Sequence, residues 1–269
     1  MNKKNILAGL ALVAGLAMPS LAAASAGGEP PKHPAQGWPH EKIIGAHYDR
    51  AAAQRGFQIY KEVCHACHSL KLVSFRQLSG IGFSEPEIKA IAASFTVMGE
   101  PDPDTGEVAE RPGKPFDYIP SPFANPEAAA ASNNGAVPPD LSLMVKAREG
   151  GASYVDSLLS GYRDPTEEEL KHVAGGKIPD GGYFNPYKAG HVIAMPPPLS
   201  DGIVTYTEGQ PPATVEQMSY DVSTFLAWAA EPKLEERKRT GFFFVSFLLI
   251  LCGLLFASYR RISKRVLGH

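Results

Sequence analysis

A mainly α-helical body, with long irregular loops wrapped around one prosthetic group and a single membrane-spanning helix at its C-terminal end, is the fold that this sequence predicts. Three observations carry it. Helical periodicity recurs in short segments, and no stretch sustains strand alternation. Proline- and glycine-rich stretches separate these segments, 24 prolines and 26 glycines being spread over 269 residues. Residues 241–259 form an apolar run with no charge.

The elements follow in order. Lys3 and Lys4, an apolar stretch over 6–18 and the small residues Ala24-Ser25-Ala26 read as a secretory signal spanning residues 1–26, with cleavage after Ala26 or, nearly as well, after Ala24. A lead over 27–46 shows no period. Asp49 can cap a helix that reaches Cys64, with Ala53, Phe57 and Tyr60 on one face. Ser84 and Glu87 form a capping box ahead of the stripe Ile88, Ile91, Ala92 and Phe95. Residues 99–139 read as irregular loop. Asp140 is expected to cap a short helix through Arg148, and 153–162 suggests another. After a second irregular stretch, Thr214 and Gln217 open a strong helix carrying Met218, Val222, Phe225, Leu226 and Ala229. Pro232 can interrupt it. No internal repeat is visible.

The run over 241–259 would span about 28 Å as a helix, enough for the hydrocarbon core of a bilayer. Lys233, Arg237, Lys238 and Arg239 precede it, and Arg260, Arg261, Lys264 and Arg265 follow it. This balance does not fix orientation. The signal does: residues 27–232 are expected to be exported, and residues 233–269 to supply the anchor and a short cytoplasmic tail. The formal charge of −2 hides an asymmetry, because residues 27–232 hold 16 Lys plus Arg against 26 Asp plus Glu, a net of −10. Such a body repels nucleic acid and attracts cationic proteins.

Cys64-His65-Ala66-Cys67-His68 is a Cys-x-x-Cys-His motif, the signature of c-type haem attachment. Two thiols three residues apart reach the two vinyl groups of one porphyrin, and His68 then offers its imidazole to the iron. A redox dithiol wants a strand–helix context, and a zinc site wants a second ligand pair. The third cysteine, Cys252, lies in the apolar run, so no disulfide framework is visible. His65 reads as a solvated side chain. For the second axial ligand, Met144 and Met218 fall on helical stripes and read as core. Met195 stands in Ala194-Met195-Pro196-Pro197-Pro198-Leu199, a loop stiffened by prolines. His191 is its rival. Met–His ligation raises the haem potential.

With these residues in place, the chain resembles cytochrome c1, the haem subunit of ubiquinol–cytochrome c reductase. The likeness begins at Arg55-Gly56-Phe57-Gln58-Ile59-Tyr60 and runs through Asn125-Pro126-Glu127-Ala128 and Asn133-Asn134-Gly135-Ala136-Val137-Pro138-Pro139-Asp140-Leu141-Ser142. It continues in Lys146-Ala147-Arg148, Tyr183-Phe184-Asn185-Pro186-Tyr187 and Met195-Pro196-Pro197-Pro198-Leu199, and closes with Trp228-Ala229 and Glu231-Pro232. The resemblance implies a class I cytochrome c-type fold around one covalent haem c, with His68 and Met195 as axial ligands. It implies that Arg148 pairs with a haem propionate and that Asn133 and Tyr154 lie near the haem edge. It also implies that the carbonyl of Pro139, or of Pro138, accepts the second ring N–H of His68. Some bacterial relatives carry a cysteine pair that bridges the loop near the methionine; this chain has none, which leaves packing and prolines to hold that loop.

As a functional reading, the resemblance implies an electron carrier rather than an enzyme in its own right. It would accept an electron from a Rieske iron–sulfur protein and pass it to a soluble or membrane-tethered cytochrome c of a respiratory or photosynthetic chain. Its other partners would be a cytochrome b subunit and membrane lipid, within a dimeric complex of the cell inner membrane, the haem domain being periplasmic. Three rivals stand beside it. A membrane-anchored cytochrome serving another oxidase or reductase would carry a different set of loops. A haem enzyme would need an open iron site, and an assembly protein would merely hold haem.

Overall fold

The computed structural model describes residues 28–34 and 36–267. The signal-peptide reading for residues 1–26 lies outside the described residues.

Helix α1, Arg50–Glu62, begins where the Asp49 carboxylate accepts the Ala52 N–H at 3.0 Å. Its Ala52, Ala53, Phe57, Ile59 and Tyr60 are buried. A 3-10 turn, Cys64–Ala66, follows directly. A longer 3-10 helix, Phe75–Ile81, is closed by a capping box between Ser74 and Gln77. Helix α2, Glu85–Ala93, starts at the expected Ser84–Glu87 box and buries Ile88 and Ala92.

The segment expected to be irregular then contains a hairpin. Strand β1, Thr96–Pro101, pairs antiparallel with β2, Val108–Pro112, with a register shift between Met98 and Pro101. At the turn, the Asp102 carboxylate accepts the N–H groups of Asp104 and Thr105, both at 2.9 Å. Four short helices follow: α3, Pro126–Ser132; α4, Met144–Ala147; α5, Gly151–Ser160; and α6, Glu167–Leu170. A two-residue ribbon, β3 Tyr183–Phe184 against β4 Val192–Ile193, precedes the proline loop. Helix α7, Val215–Ala230, is capped by Thr214 as the sequence predicts. Pro232 marks the break before α8, Leu234–Leu267. This last helix is long and apolar enough to cross a membrane, and its apolar stretch is fully exposed.

The architecture is mainly helical, as predicted. Two readings change in detail. Asp140 caps no helix, because α4 begins four residues later at Met144 and ends at Ala147. The 99–139 stretch holds a hairpin and a helix where only loop is expected. Its strands lie largely exposed, so they carry no alternating apolar pattern to betray them.

The core forms where α7 packs on α1 and on α5. A Cβ on Gly56 would meet the Asp221 carbonyl at 2.1 Å and the Phe225 Cβ at 2.7 Å, so only glycine permits this approach of α1 to α7. Phe225 then stands edge-on to Phe57, with centroids 5.5 Å apart, and contacts Tyr60 and Trp228 at 5.8 Å. Beside the crossing, Arg55 holds the fully buried Asp221 carboxylate by two bonds of 2.7 Å. Tyr206 and Gln217 donate to the same carboxylate at 3.0 Å. Burial pushes the Asp221 carboxyl up, and the guanidinium fork pulls against that rise.

These contacts set the first test. Gly56→Ala should destabilise the fold by about 3 kcal/mol, because backbone must shift to admit the methyl. Arg55→Met should cost about 3–5 kcal/mol by stranding a buried carboxylate. Denaturant unfolding of the detergent-solubilised chain, followed by near-UV circular dichroism, measures both. Changes under 1 kcal/mol would show that the helices separate readily at this point.

Candidate functional site

Helix α1 ends at Glu62, and a single turn residue, Val63, whose N–H still donates to the Ile59 carbonyl at 2.9 Å, links it to the cysteine motif, so the helix fixes where Cys64 begins. The Cys67 and His68 N–H groups both donate to the Cys64 carbonyl, at 3.1 and 2.9 Å. That tight turn gathers Cys64, Cys67 and His68 into one short arc. Cys64 and Cys67 form no disulfide, and burial pushes the Cys64 thiol up to about 12. Among the described residues, no three His, Cys, Asp or Glu side chains converge as a metal cluster.

His68 is held from across the chain. Its Nδ1 lies 2.8 Å from the Pro139 carbonyl. A carbonyl can only accept, so Nδ1 carries the proton and Nε2 keeps its lone pair. Burial lowers the imidazole pKa, which favours the neutral form that binds metal. The segment carrying Pro139 is itself clamped. Asp140 accepts from Ser69 Oγ at 2.8 Å, from the Lys71 N–H at 2.9 Å and from the Ser142 N–H at 2.9 Å. The Leu141 N–H donates to the Ser69 carbonyl at 2.9 Å, and the Leu72 N–H to Ser142 Oγ at 3.1 Å. Two distant stretches, 68–72 and 139–142, thus form one rigid seat for the imidazole.

Tyr60 closes the other side. Its hydroxyl lies 3.1 Å from His65 Nδ1 and 3.2 Å from the His68 carbonyl. His65 is therefore not a solvated side chain. It is half-buried and stands edge-on to Phe95, with centroids 5.0 Å apart. Phe95 joins α2 to the hairpin, so the acidic hairpin is rooted beside the thiols. Glu100, Asp102, Asp104, Glu107 and Glu110 are all exposed along it, and Glu85 and Glu87 are exposed on the first turn of α2.

Met195 is half-buried in the proline loop, and Tyr162 donates its hydroxyl to the Met195 carbonyl at 3.1 Å. Upstream, Phe184 lies between Arg163, whose guanidinium is 5.1 Å from the ring centroid, and His191, which stacks at 6.0 Å. His191 adopts φ +58° and its buried Nδ1 has no partner among the described residues. The other expected residues are more scattered. Asn133 donates its side-chain amide to the Ala129 carbonyl at 2.7 Å and so finishes α3. Arg148 is exposed just after α4, and its guanidinium donates to the neighbouring Ala147 carbonyl at 3.1 Å. Tyr154 is half-buried on α5. No hydrogen bond or ion pair among the described residues joins these three side chains to the cysteine motif.

The donor set fits a covalently attached haem: two free thiols, and an imidazole with its outer nitrogen committed and its inner nitrogen free. Sequence reasoning missed Tyr60, Asp140 and Tyr162. Tyr60 read as core, Asp140 as a helix cap, and Tyr162 had no signal because its partner is a backbone carbonyl 33 residues away.

The comparisons agree with this chemistry. The family model described as Cytochrome C1 family matches residues 38–266. The chain is 47% identical over 231 residues to cytochrome c1 of Rhodospirillum rubrum, covering 82% of this chain and 84% of that one. It is 48% identical over 239 residues to "Cytochrome c1 1, heme protein, mitochondrial" of Arabidopsis thaliana, covering 89% and 73%. It is 49% identical over 208 residues to "Cytochrome b-c1 complex catalytic subunit, mitochondrial" of Candida albicans, covering 77% and 69%.

Burial tends to raise the Asp140 carboxyl, but hydrogen bonds from Ser142, Lys71 and Ser69 outweigh it and leave the group below its ordinary value. The clamp therefore contributes fully above the unfolded value of about 3.9 and fades as pH falls through the lowered folded one. Asp140→Asn should destabilise the chain by a constant amount between pH 5 and about 7, and the gap should begin to narrow as pH falls below about 3.9. Urea unfolding across that range checks it. A gap that widens in acid would contradict the clamp.

Proposed function

We propose, from the premise that this chain belongs to the cytochrome c1 family, that it is the haem-bearing, electron-transferring subunit of a cytochrome bc1 complex. It receives one electron from a Rieske iron–sulfur protein and delivers it to a soluble or membrane-tethered cytochrome c. No bond forms or breaks in either step. The observation that carries the reading is the His68 imidazole, pinned through Nδ1 to Pro139 with Nε2 left free beside two thiols.

In this reading Cys64 and Cys67 would hold the porphyrin covalently, and His68 and Met195 would bind its iron. When bound, the haem supplies an iron that cycles between ferric and ferrous states. The chain's part is to hold both ligands so that neither moves when the charge changes. The Asp140 clamp does this for His68. The proline loop, with the Tyr162 bond, does it for Met195. Arg148 is free to offer its guanidinium to a propionate, and Asn133 and Tyr154 line the edge. Helix α8 anchors the body, which lies on the periplasmic side with the C-terminus in the cytoplasm. A cytochrome b subunit is its neighbour in a dimeric assembly. An axial thioether stabilises ferrous iron and suits a carrier at the positive end of a chain.

Two measurements test these roles. Met195→Leu should keep the covalent haem and lower the midpoint potential by on the order of 0.1–0.3 V. An unchanged potential would move the ligand assignment to His191. For the acceptor, the exposed acids of the hairpin, rooted at His65 by Phe95, form a field that steers a cationic cytochrome, screened over about 8 Å at physiological salt. Neutralising Glu100, Asp102, Asp104 and Glu107 together should lower the second-order oxidation rate about tenfold at low salt and flatten its ionic-strength dependence. Wild-type rate and salt slope in that variant would place docking elsewhere.

A further inference from the structure

Where the body meets the anchor, the lead segment folds back onto α8. Its bend carries Ile43, 90% exposed, and Ile44, 72% exposed, followed by Gly45 at φ +69°. Lys238 donates to the carbonyls of His40 at 2.9 Å and Lys42 at 2.7 Å. The Tyr48 N–H donates to Glu235 Oε1 at 2.8 Å. Bonds on both flanks therefore fix this bend against the first turns of α8. Lys238 stands three residues before the apolar run, so the isoleucines are held about one helical turn from its start.

A cavity of about 580 Å³ lies between the bend and the helix. Ile43, Ile44 and Phe242 give it an apolar lining, and Lys233 and Arg239 a cationic one. Neither cation has an ion-pair partner among the described residues, whereas Arg50 in the same wall is paired with Glu235 at 3.3 Å. Glu236 also faces the cavity and leaves the balance cationic. Large apolar side chains fixed in water at a bend are unfavourable; beside a membrane span they come to rest in the interfacial layer. A cavity that is apolar toward the span and cationic away from it has the polarity gradient of a phospholipid.

We infer that this junction seats an anionic phospholipid of the leaflet facing the body: Ile43 and Ile44 insert among its upper acyl carbons, and Lys233 and Arg239 receive its phosphate. The inference rests on α8 being a membrane anchor, as proposed above. The occupant is lipid rather than a protein groove-binder because the cavity is continuous with the span and its charge complements phosphate.

Photo-crosslinking in native membranes tests it, with benzoylphenylalanine placed singly in the full chain at Ile43, at Leu249 within the span and at Val108 on the hairpin. Irradiation should give phospholipid adducts at Ile43 and Leu249 and none at Val108. Adducts at Ile43 should be enriched in anionic headgroups over the bulk membrane. Lys233→Gln with Arg239→Gln should reduce that enrichment roughly tenfold without altering adducts at Leu249. If Ile43 crosslinks to another polypeptide, or to nothing, while Leu249 labels lipid, the seat is overturned and the anchor stands. If Leu249 fails to label lipid, the anchor reading itself falls. Enrichment untouched by the double variant would overturn the phosphate assignment.

Discussion

The approach of α1 to α7 at Gly56 organises everything else in this chain. Helix α1 ends at the cysteine turn, and α7 ends at the break before the anchor. Their contact therefore joins the cysteine turn to the long apolar C-terminal helix through a single packed joint. With no side chain at Gly56, the α7 backbone at Asp221 comes close enough for Arg55 to reach its carboxylate with both arms. The Phe57, Tyr60 and Phe225 rings fill the space beside them. A charged pair buried this deeply adds little net stability by itself, since desolvation offsets its attraction. What it fixes is register, because a slip of either helix would strand both charges.

From that joint, order spreads through hydrogen bonds more than through apolar packing. The seat of His68 is built from a carbonyl, a carboxylate, two serine hydroxyls and several backbone N–H groups. This suits a site whose two bonded stretches are about 70 residues apart and carry few large side chains. Polar contacts are directional, so they hold an imidazole at a set angle where a greasy contact would let it rock. Tyr60 ties the two levels together, since its ring packs in the joint and its hydroxyl touches the cysteine turn.

Much of this was readable from residues and some was not, for physical reasons. Helix starts at Asp49, Ser84 and Thr214 announce themselves because the cap lies three residues from the N–H it serves. The stripe of α7 and the apolar run of α8 are equally local. The hairpin over 96–112 escaped because both strands are exposed and broken by glycine and proline, and cross-strand bonding leaves no trace in one-dimensional periodicity. Asp140 looked like a cap because its true partners, Ser69 and Lys71, are local only in space. His65 looked solvated because its position between two cysteines says nothing about Phe95. The membership of Cys64, Cys67 and His68 in one site needed no structure, whereas the route by which Pro139 reaches His68 was visible only through family resemblance.

The loop around Met195 shows how such a segment is held without a covalent bridge. A weak thioether ligand cannot organise its own loop, so the polypeptide must present the sulfur ready-placed. Three prolines restrict the chain after Met195, and the Tyr162 hydroxyl, two residues past the end of α5, fixes the Met195 carbonyl. Before it, the short β3–β4 ribbon fastens the loop's upstream end, with Phe184 gripped between Arg163 and His191. Arg163 is in turn paired with Glu169 at the start of α6. Each support is weak, a hydrogen bond or a stacked ring of about 1 kcal/mol. They act on different stretches of the same loop, so the methionine can move only if several fail together. A disulfide would close the loop at one point; these contacts restrain it along its length, which is the requirement that the ligand role proposed for Met195 imposes.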